Sequence, residues 1–153
     1  PMTIEIIPNY NHSNFSEIQF MDFMMWVAHV FDGRPITRIS EVSHRLEKNG
    51  TVFRARITSE AKVQVVKTWY AYTDDPAWRD VMWYHVVMRP AGDYYEGFLP
   101  GKKPDAFMIE VGDTALGFPG YVSSLPQKLT DAPVLERVSR GPYPKSWSPD
   151  TQR

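Results

Sequence analysis

Four histidines are the side chains of this sequence best suited to acid–base chemistry. His12 lies in a polar loop, directly after a short strand-like run and before an apolar, helix-like run. Loops at the carboxyl ends of strands are where α/β proteins place catalytic groups, so His12 is a candidate catalytic residue. The local pattern alone favours the alternative, a loop of Asn and Ser residues that only turns the chain and caps the helix.

The other three histidines are spread over predicted helix and strands. His29 stands late in the helix-like run, and His44 and His85 stand on separate predicted strands. Zinc sites need several ligands that converge and second-shell partners that orient them, and no spacing here provides them. We therefore expect a partly buried, hydrogen-bonded His29 and ordinary surface or core strand positions for His44 and His85, with no metal and no cofactor.

Three aspartates surround a proline in the middle of the chain. Asp74, Asp75 and Asp80 could bind Ca²⁺, since clustered carboxylates in a loop are suitable ligands. The same residues are also typical of a turn, because Asp before Pro starts turns and solvates a hairpin. The turn is the favoured interpretation.

An aromatic-rich stretch lies in the middle of the sequence. Its rings could stack on sugars, or they could fill the core. Successive strand residues point to opposite faces of a sheet, so some of these rings must be core, and the core interpretation is favoured over a glycan-binding platform. The stretch contains Trp69, Tyr70, Tyr72, Trp78, Trp83 and Tyr84.

Composition and missing motifs exclude several function classes. The net charge is -1 and there is no Cys, so a basic nucleic-acid-binding stripe, a disulfide and a cysteine nucleophile are not expected. No apolar run is long enough for a membrane span, and no signal peptide is recognisable. The sequence contains no G-x-S-x-G elbow, Walker loop, G-x-G-x-x-G or H-E-x-x-H motif. Nothing in it makes a complete active site.

Pattern divides the chain into three zones. The pattern predicts a strand, a loop and a helix for residues 1–35, strands and turns for residues 36–130, and an extended Pro-rich tail for residues 131–153. Short strands with regular turn signals, including Asn49-Gly50, predict an antiparallel sandwich. The predicted strands cover residues 39–47, 51–58, 63–72, 79–89, 94–99, 106–111 and 121–125.

The predicted helix carries a broad apolar stripe. Ser16 precedes Gln19 by three residues, which fits a capping box, and the helix is expected to reach Phe31. An apolar stripe of this width needs burial against a large surface. Its first face contains Ile18, Met21, Met25 and Ala28, and a second apolar row lies beside it.

Two short motifs resemble those of a known family. The segment Pro8-Asn9-Tyr10-Asn11-His12 followed by the helix, and the later Trp69-Tyr70-Ala71 and Arg79-Asp80, are similar to the C-terminal part of the PhoPQ-activated pathogenicity-related protein family, which is α/β-hydrolase-like. The similarity covers roughly residues 1–125. The family's Arg-Asp-Phe-Arg pattern is kept only in its first half.

The resemblance implies a fold that is mainly β. The N-terminal strand-loop-helix would be the end of an α/β-hydrolase fold, followed by an immunoglobulin- or fibronectin-like antiparallel β-sandwich. His12 would then be the triad histidine of a serine hydrolase (an esterase or peptidase), with serine and acid upstream, since histidine comes last in that order. The chain would be inactive alone. An upstream hydrolase segment or a second chain would pack on the helix, and the protein would be secreted or periplasmic.

Two other hypotheses remain. One is a non-catalytic β-sandwich that binds a protein partner or a glycan, whose helix packs on its own strands. The other is a tautomerase that uses Pro1 as its base. Glycosylation sequons at Asn11, Asn14 and Asn49 matter only in a secreted eukaryotic protein.

Overall fold

The described residues of the protein fold into two antiparallel β-sheets and one helix, which confirms the mainly β prediction. The computed structural model describes residues 6–9, 17–73, 81–114, 117 and 119–129; the predicted tail lies outside them. The elements are α1 (Glu17–Asp32), β1 (Arg38–Glu47), β2 (Gly50–Thr58), β3 (Val63–Ala71), β4 (Trp83–Val87), β5 (Arg89–Ala91), β6 (Tyr94–Pro100), β7 (Ala106–Asp113), β8 (Gly120–Ser123) and β9 (Gln127–Lys128).

The two sheets share one apolar core between them. The first sheet has the order β1-β2-β6-β5, and the second has the order β4-β3-β7-β8, with β9 also paired to β7. Phe53 of the first sheet and Phe107 of the second are fully buried, with ring centroids 5.0 Å apart. The alternation predicted for β2 is present, since Phe53 and Ala55 point inward while Arg54 and Arg56 point outward. The architecture is therefore sandwich-like.

The predicted strand at 79–89 is two strands in different sheets. β4 pairs with β3 in the second sheet, and β5 pairs with β6 in the first. Met88 between them is 3% exposed, and its amide donates to the carbonyl of Val66 at 2.8 Å. Pro90 on β5 has no amide to donate and belongs at a sheet edge. The single predicted strand was wrong because the apolar run through Met88 contains no turn signal.

A buried polar contact joins the segment after α1 to the second sheet. The hydroxyl of Thr37 donates to the carboxylate of Asp113, and both residues are buried. Ser59, in the turn after β2, lies 2.6 Å from the same hydroxyl. Buried polar groups are stable only when paired, so this contact fixes how the chain enters β1.

Candidate functional site

The chain before the His12 loop crosses the outer face of the second sheet. Ile6 donates its amide to the Ser123 hydroxyl at 3.1 Å, and this hydroxyl is also 3.2 Å from the Ile6 carbonyl. Ile6 packs on an outer cluster that includes the buried Trp83 and Met108. The segment therefore runs from β8, at one edge of the sheet, towards β4 at the other.

Asn9 anchors this segment at the start of β4. Its side-chain oxygen accepts from the Trp83 amide and its side-chain nitrogen donates to the Trp83 carbonyl, each at 2.7 Å. The amide thus bonds the edge of β4 as a neighbouring strand would. Asn9 has a φ of 58°, a left-handed conformation that Asn tolerates better than most residues. In the Pro-Asn motif, this asparagine therefore fixes the chain three residues before His12.

One side of α1 is held on β8. The Asp22 carboxylate accepts the backbone amide of Tyr121 at 2.8 Å, and Met25 is 6% exposed. Gly120 allows this close approach, because a Cβ atom there would lie 2.8 Å from the Met25 sulfur. The carboxylate also occupies an edge-strand donor, one of the groups that make exposed sheet edges prone to pairing.

The opposite side of α1 is apolar and exposed. We define its outward face as Phe23, Trp26, Val30 and Phe31, which all lie about 100° or more around the helix axis from Met25. They are 54%, 50%, 51% and 76% exposed, respectively, and the rings of Phe23 and Trp26 stack at 6.2 Å. A helix that is apolar all round normally lies inside a larger structure.

The exposed area of the outward face is large for a small protein. With about 200 Å² for a whole aromatic side chain, these fractions amount to roughly 400 Å², within the range of the largest patch on a typical monomer. The described strands cover the Met25 side and leave the outward face uncovered. The apolar stripe that contains Met25 was expected to need a large covering surface. The sandwich itself buries Met25 on β8, whereas no described strand covers the outward face.

Several candidate residues lie outside the described part of the chain. They are His12, Asp74, Asp75, Trp78 and Asp80. The role of His12 and the choice between a Ca²⁺ site and a turn therefore stay predictions. Among the described residues, no group of three or more His, Asp or Glu side chains is arranged to hold a metal ion.

The described histidines have structural surroundings. His29 Nδ1 donates to the Arg34 carbonyl at 2.6 Å, next to Gly33, whose φ of 66° ends α1. The half-buried ring of His44 meets the edge of Phe107 at 5.5 Å. His85 is exposed on β4 and lies 4.7 Å from the Trp69 ring. These contacts match the ordinary positions expected from the sequence.

The aromatic stretch is divided between core and surface. Trp83 is buried and Tyr70 is partly buried against the main core, whereas Tyr72 and Tyr84 lie at the surface with ring centroids 5.8 Å and 5.9 Å from that of Tyr70. Tyr72 and Tyr84 are 39% and 52% exposed. Desolvation raises the pKa of Tyr72, with smaller contributions from Tyr70 and Asp105.

A polar cluster on the outer face of the first sheet was not anticipated from the sequence. The guanidinium of Arg54 lies 3.5 Å from the Tyr94 ring centroid, and Arg56 donates to the Tyr94 hydroxyl at 2.9 Å. That hydroxyl donates to Glu41 at 2.6 Å. The Arg56 Nε–Glu41 contact of 2.9 Å is an ion pair rather than an aligned hydrogen bond. The hydrogen bond to Tyr94 is the main cause that raises the pKa of Arg56. The feature of the sequence that could have indicated this cluster is the alternation of Arg54 and Arg56 along β2.

Comparison with known proteins gives no relative. No family model, no curated protein and no solved structure matches this chain. Within the described residues, no helix has the length and apolar character needed to cross a membrane.

Proposed function

We propose that this chain is the C-terminal part of a serine-hydrolase-like protein, in which the outward face of α1 packs on the hydrolase sheet. The supporting observation is the exposure of Phe23, Trp26 and Phe31 on a helix whose other side is already buried. Burial of about 400 Å² of apolar surface would contribute on the order of 10 kcal/mol before the costs of ordering are subtracted. In this proposal the sandwich is an immunoglobulin- or fibronectin-like accessory domain.

His12 is the general base of the proposed site. It would take the proton of an upstream serine during attack and return it to the leaving group. The described residues supply anchors on both sides of its loop, Asn9 at β4 and Asp22 at β8. Because a histidine alone has neither nucleophile nor oxyanion hole, the chain by itself has no hydrolase activity.

Ester hydrolysis provides the test. The chain alone should not turn over an activated aryl ester, whereas a polypeptide that continues upstream of residue 1 should. His12→Ala should abolish that activity, and His85→Ala, which changes an exposed histidine on β4, should leave it unchanged. Turnover by the chain alone, or an upstream reading frame without a serine elbow, contradicts the proposal.

A second candidate function is glycan binding by a non-catalytic sandwich. The exposed rings of Tyr72 and Tyr84 favour it, because sugars stack on exposed aromatic faces. Lys102 lies beside Tyr72, since its ammonium is 5.4 Å from the Tyr72 ring and its carbonyl accepts the Tyr72 hydroxyl at 3.0 Å. Tyr84→Ala should then abolish retention on a polysaccharide affinity gel. Equal retention of Tyr84→Ala and the unmodified chain, or no retention of either, rules out this site.

A further inference from the structure

The two sheets have four lateral edges, and three of them carry features that disfavour further pairing. β1 has a register shift between Ser40 and Ser43, with Glu41 at a φ of 49° inside it. β5 is three residues long and contains Pro90. β8 has its Tyr121 amide occupied by Asp22. Bulges, prolines, short strands and covering elements are the devices by which proteins protect sheet edges.

The fourth edge, β4, is capped by the Asn9 side chain at Trp83, and beyond Trp83 the described residues place no bulge, proline or covering segment on it. Its five residues are Trp-Tyr-His-Val-Val, without proline or formal charge, and its register with β3 is unbroken. Tyr84 and Val87 on β4 and Met82 just before it are 52%, 57% and 60% exposed. Aromatic and β-branched residues of this kind favour strand pairing.

The Asn9 contact shows which backbone groups of β4 point away from the sheet. Trp83 directs its amide and carbonyl to Asn9, so its alternate neighbours His85 and Val87 direct theirs the same way. The inward amide of Met88, which donates to Val66, agrees with this alternation. Within the described part of the chain, no backbone group bonds the outward groups of His85 and Val87.

We propose that β4 pairs antiparallel with β4 of a second copy of this chain. With Val86 opposite its own counterpart, His85 of each copy lies opposite Val87 of the other. This register joins the outward groups in four backbone hydrogen bonds about a two-fold axis. It places no like charges opposite each other, because β4 is uncharged and the net charge of the chain is only -1. The Asn9 side chain ends the open part of the edge at Trp83.

The proposal can be tested by removing one outward donor. Val87→Pro deletes an amide that faces away from β3, so the ladder within the sheet keeps its bonds. The loss of two symmetry-related bonds should weaken dimerisation about 10- to 30-fold. Val87→Thr is the matched control, since it keeps the amide and the branched side chain, and it should dimerise like the unmodified chain. Sedimentation velocity over a concentration series measures the association.

Association through α1 has to be separated from association through β4. All chains in the comparison should therefore carry Phe23→Gln and Trp26→Gln, which replace the two stacked rings of the outward face by polar side chains. Loss of concentration-dependent association in this background alone would place the contact at α1 and overturn the proposal. Circular dichroism should show that Val87→Pro is folded; if it is not, Val87→Lys tests the same edge by placing a charge on it.

Hydrogen exchange locates the contact independently of any variant. The amides of His85 and Val87 should exchange quickly in dilute solution and slowly at high concentration, whereas those of Tyr84 and Val86 should be protected at both. Exchange rates at His85 and Val87 that do not change with concentration contradict pairing at β4, whatever the oligomeric state.

Discussion

The two sides of α1 should respond in opposite ways to substitution. Met25 is 6% exposed and lies against Gly120, so Met25→Ala removes a buried side chain and leaves space beside the glycine. Buried Met→Ala substitutions cost about 2–5 kcal/mol. We expect about 2–3 kcal/mol here, because the helix lies at one edge of the sandwich and can settle partly into the space.

Trp26 is the matched position on the outward face. It is 50% exposed, so Trp26→Gln loses only part of a packed side chain and relieves apolar exposure to water. The expected loss of stability is below about 1 kcal/mol. In a urea titration with a slope of about 2 kcal/mol/M, Met25→Ala should lower the midpoint by about 1 M or more, and Trp26→Gln by less than about 0.5 M.

The two variants are compared at low protein concentration, so that burial in an oligomer does not add to either value. A larger midpoint shift for Trp26→Gln than for Met25→Ala would mean that the outward face packs on the chain's own residues. The proposed hydrolase interface would then lose its main support. Equal and small shifts would show that α1 is not held on β8 at all.

Two further predictions concern anchors of the candidate sites. Asn9→Ala loses both hydrogen bonds to Trp83 and places Ala in a left-handed conformation, so it should lower the unfolding free energy by about 1–3 kcal/mol. Asn9→Gly tolerates the left-handed conformation, so it should lose only the free energy of the two hydrogen bonds. Urea unfolding measures both changes. The pKa of Tyr72 is raised in the folded state, so folding favours the neutral phenol over the phenolate. The resulting contribution to stability is present below the unfolded tyrosine pKa of about 10 and is lost as the pH rises through the pKa of Tyr72 in the folded state. Absorbance titration should show one late-titrating tyrosine that disappears in Tyr72→Phe, and a titration unchanged by that substitution contradicts the assignment.

The sequence predicted what depends on local pattern. The helix was expected to end at Phe31 and ends at Asp32, and the alternation of β2 assigned Phe53 to the core and Arg54 to the surface. Side-chain period and turn residues are sufficient for such assignments. The split between β4 and β5 was missed because the crossover at Met88 is a tertiary event, driven by burial of that side chain rather than by a turn residue.

Contacts between residues far apart in the chain could not be predicted from the sequence. Asn9 and Trp83 are 74 residues apart, and nothing in either neighbourhood indicates that an asparagine amide bonds a strand edge. The cluster around Tyr94 likewise depends on the register shift in β1, which directs Glu41 towards Arg56. Such sites arise from pairing register, and register is set by the whole sandwich.

The anchors on the two sides of the His12 loop give the sandwich a defined part in the proposed hydrolase. Asn9 is bonded to β4 and Asp22 to β8, and these strands lie at opposite edges of the same sheet. The positions at which the chain enters and leaves the loop are therefore set by the sandwich. An accessory domain with this connectivity would orient the catalytic histidine as well as stabilise the protein. Loosening the Asn9 anchor should then reduce the turnover of the longer polypeptide more than its substrate affinity, because a misplaced base slows proton transfer while the binding surfaces stay intact.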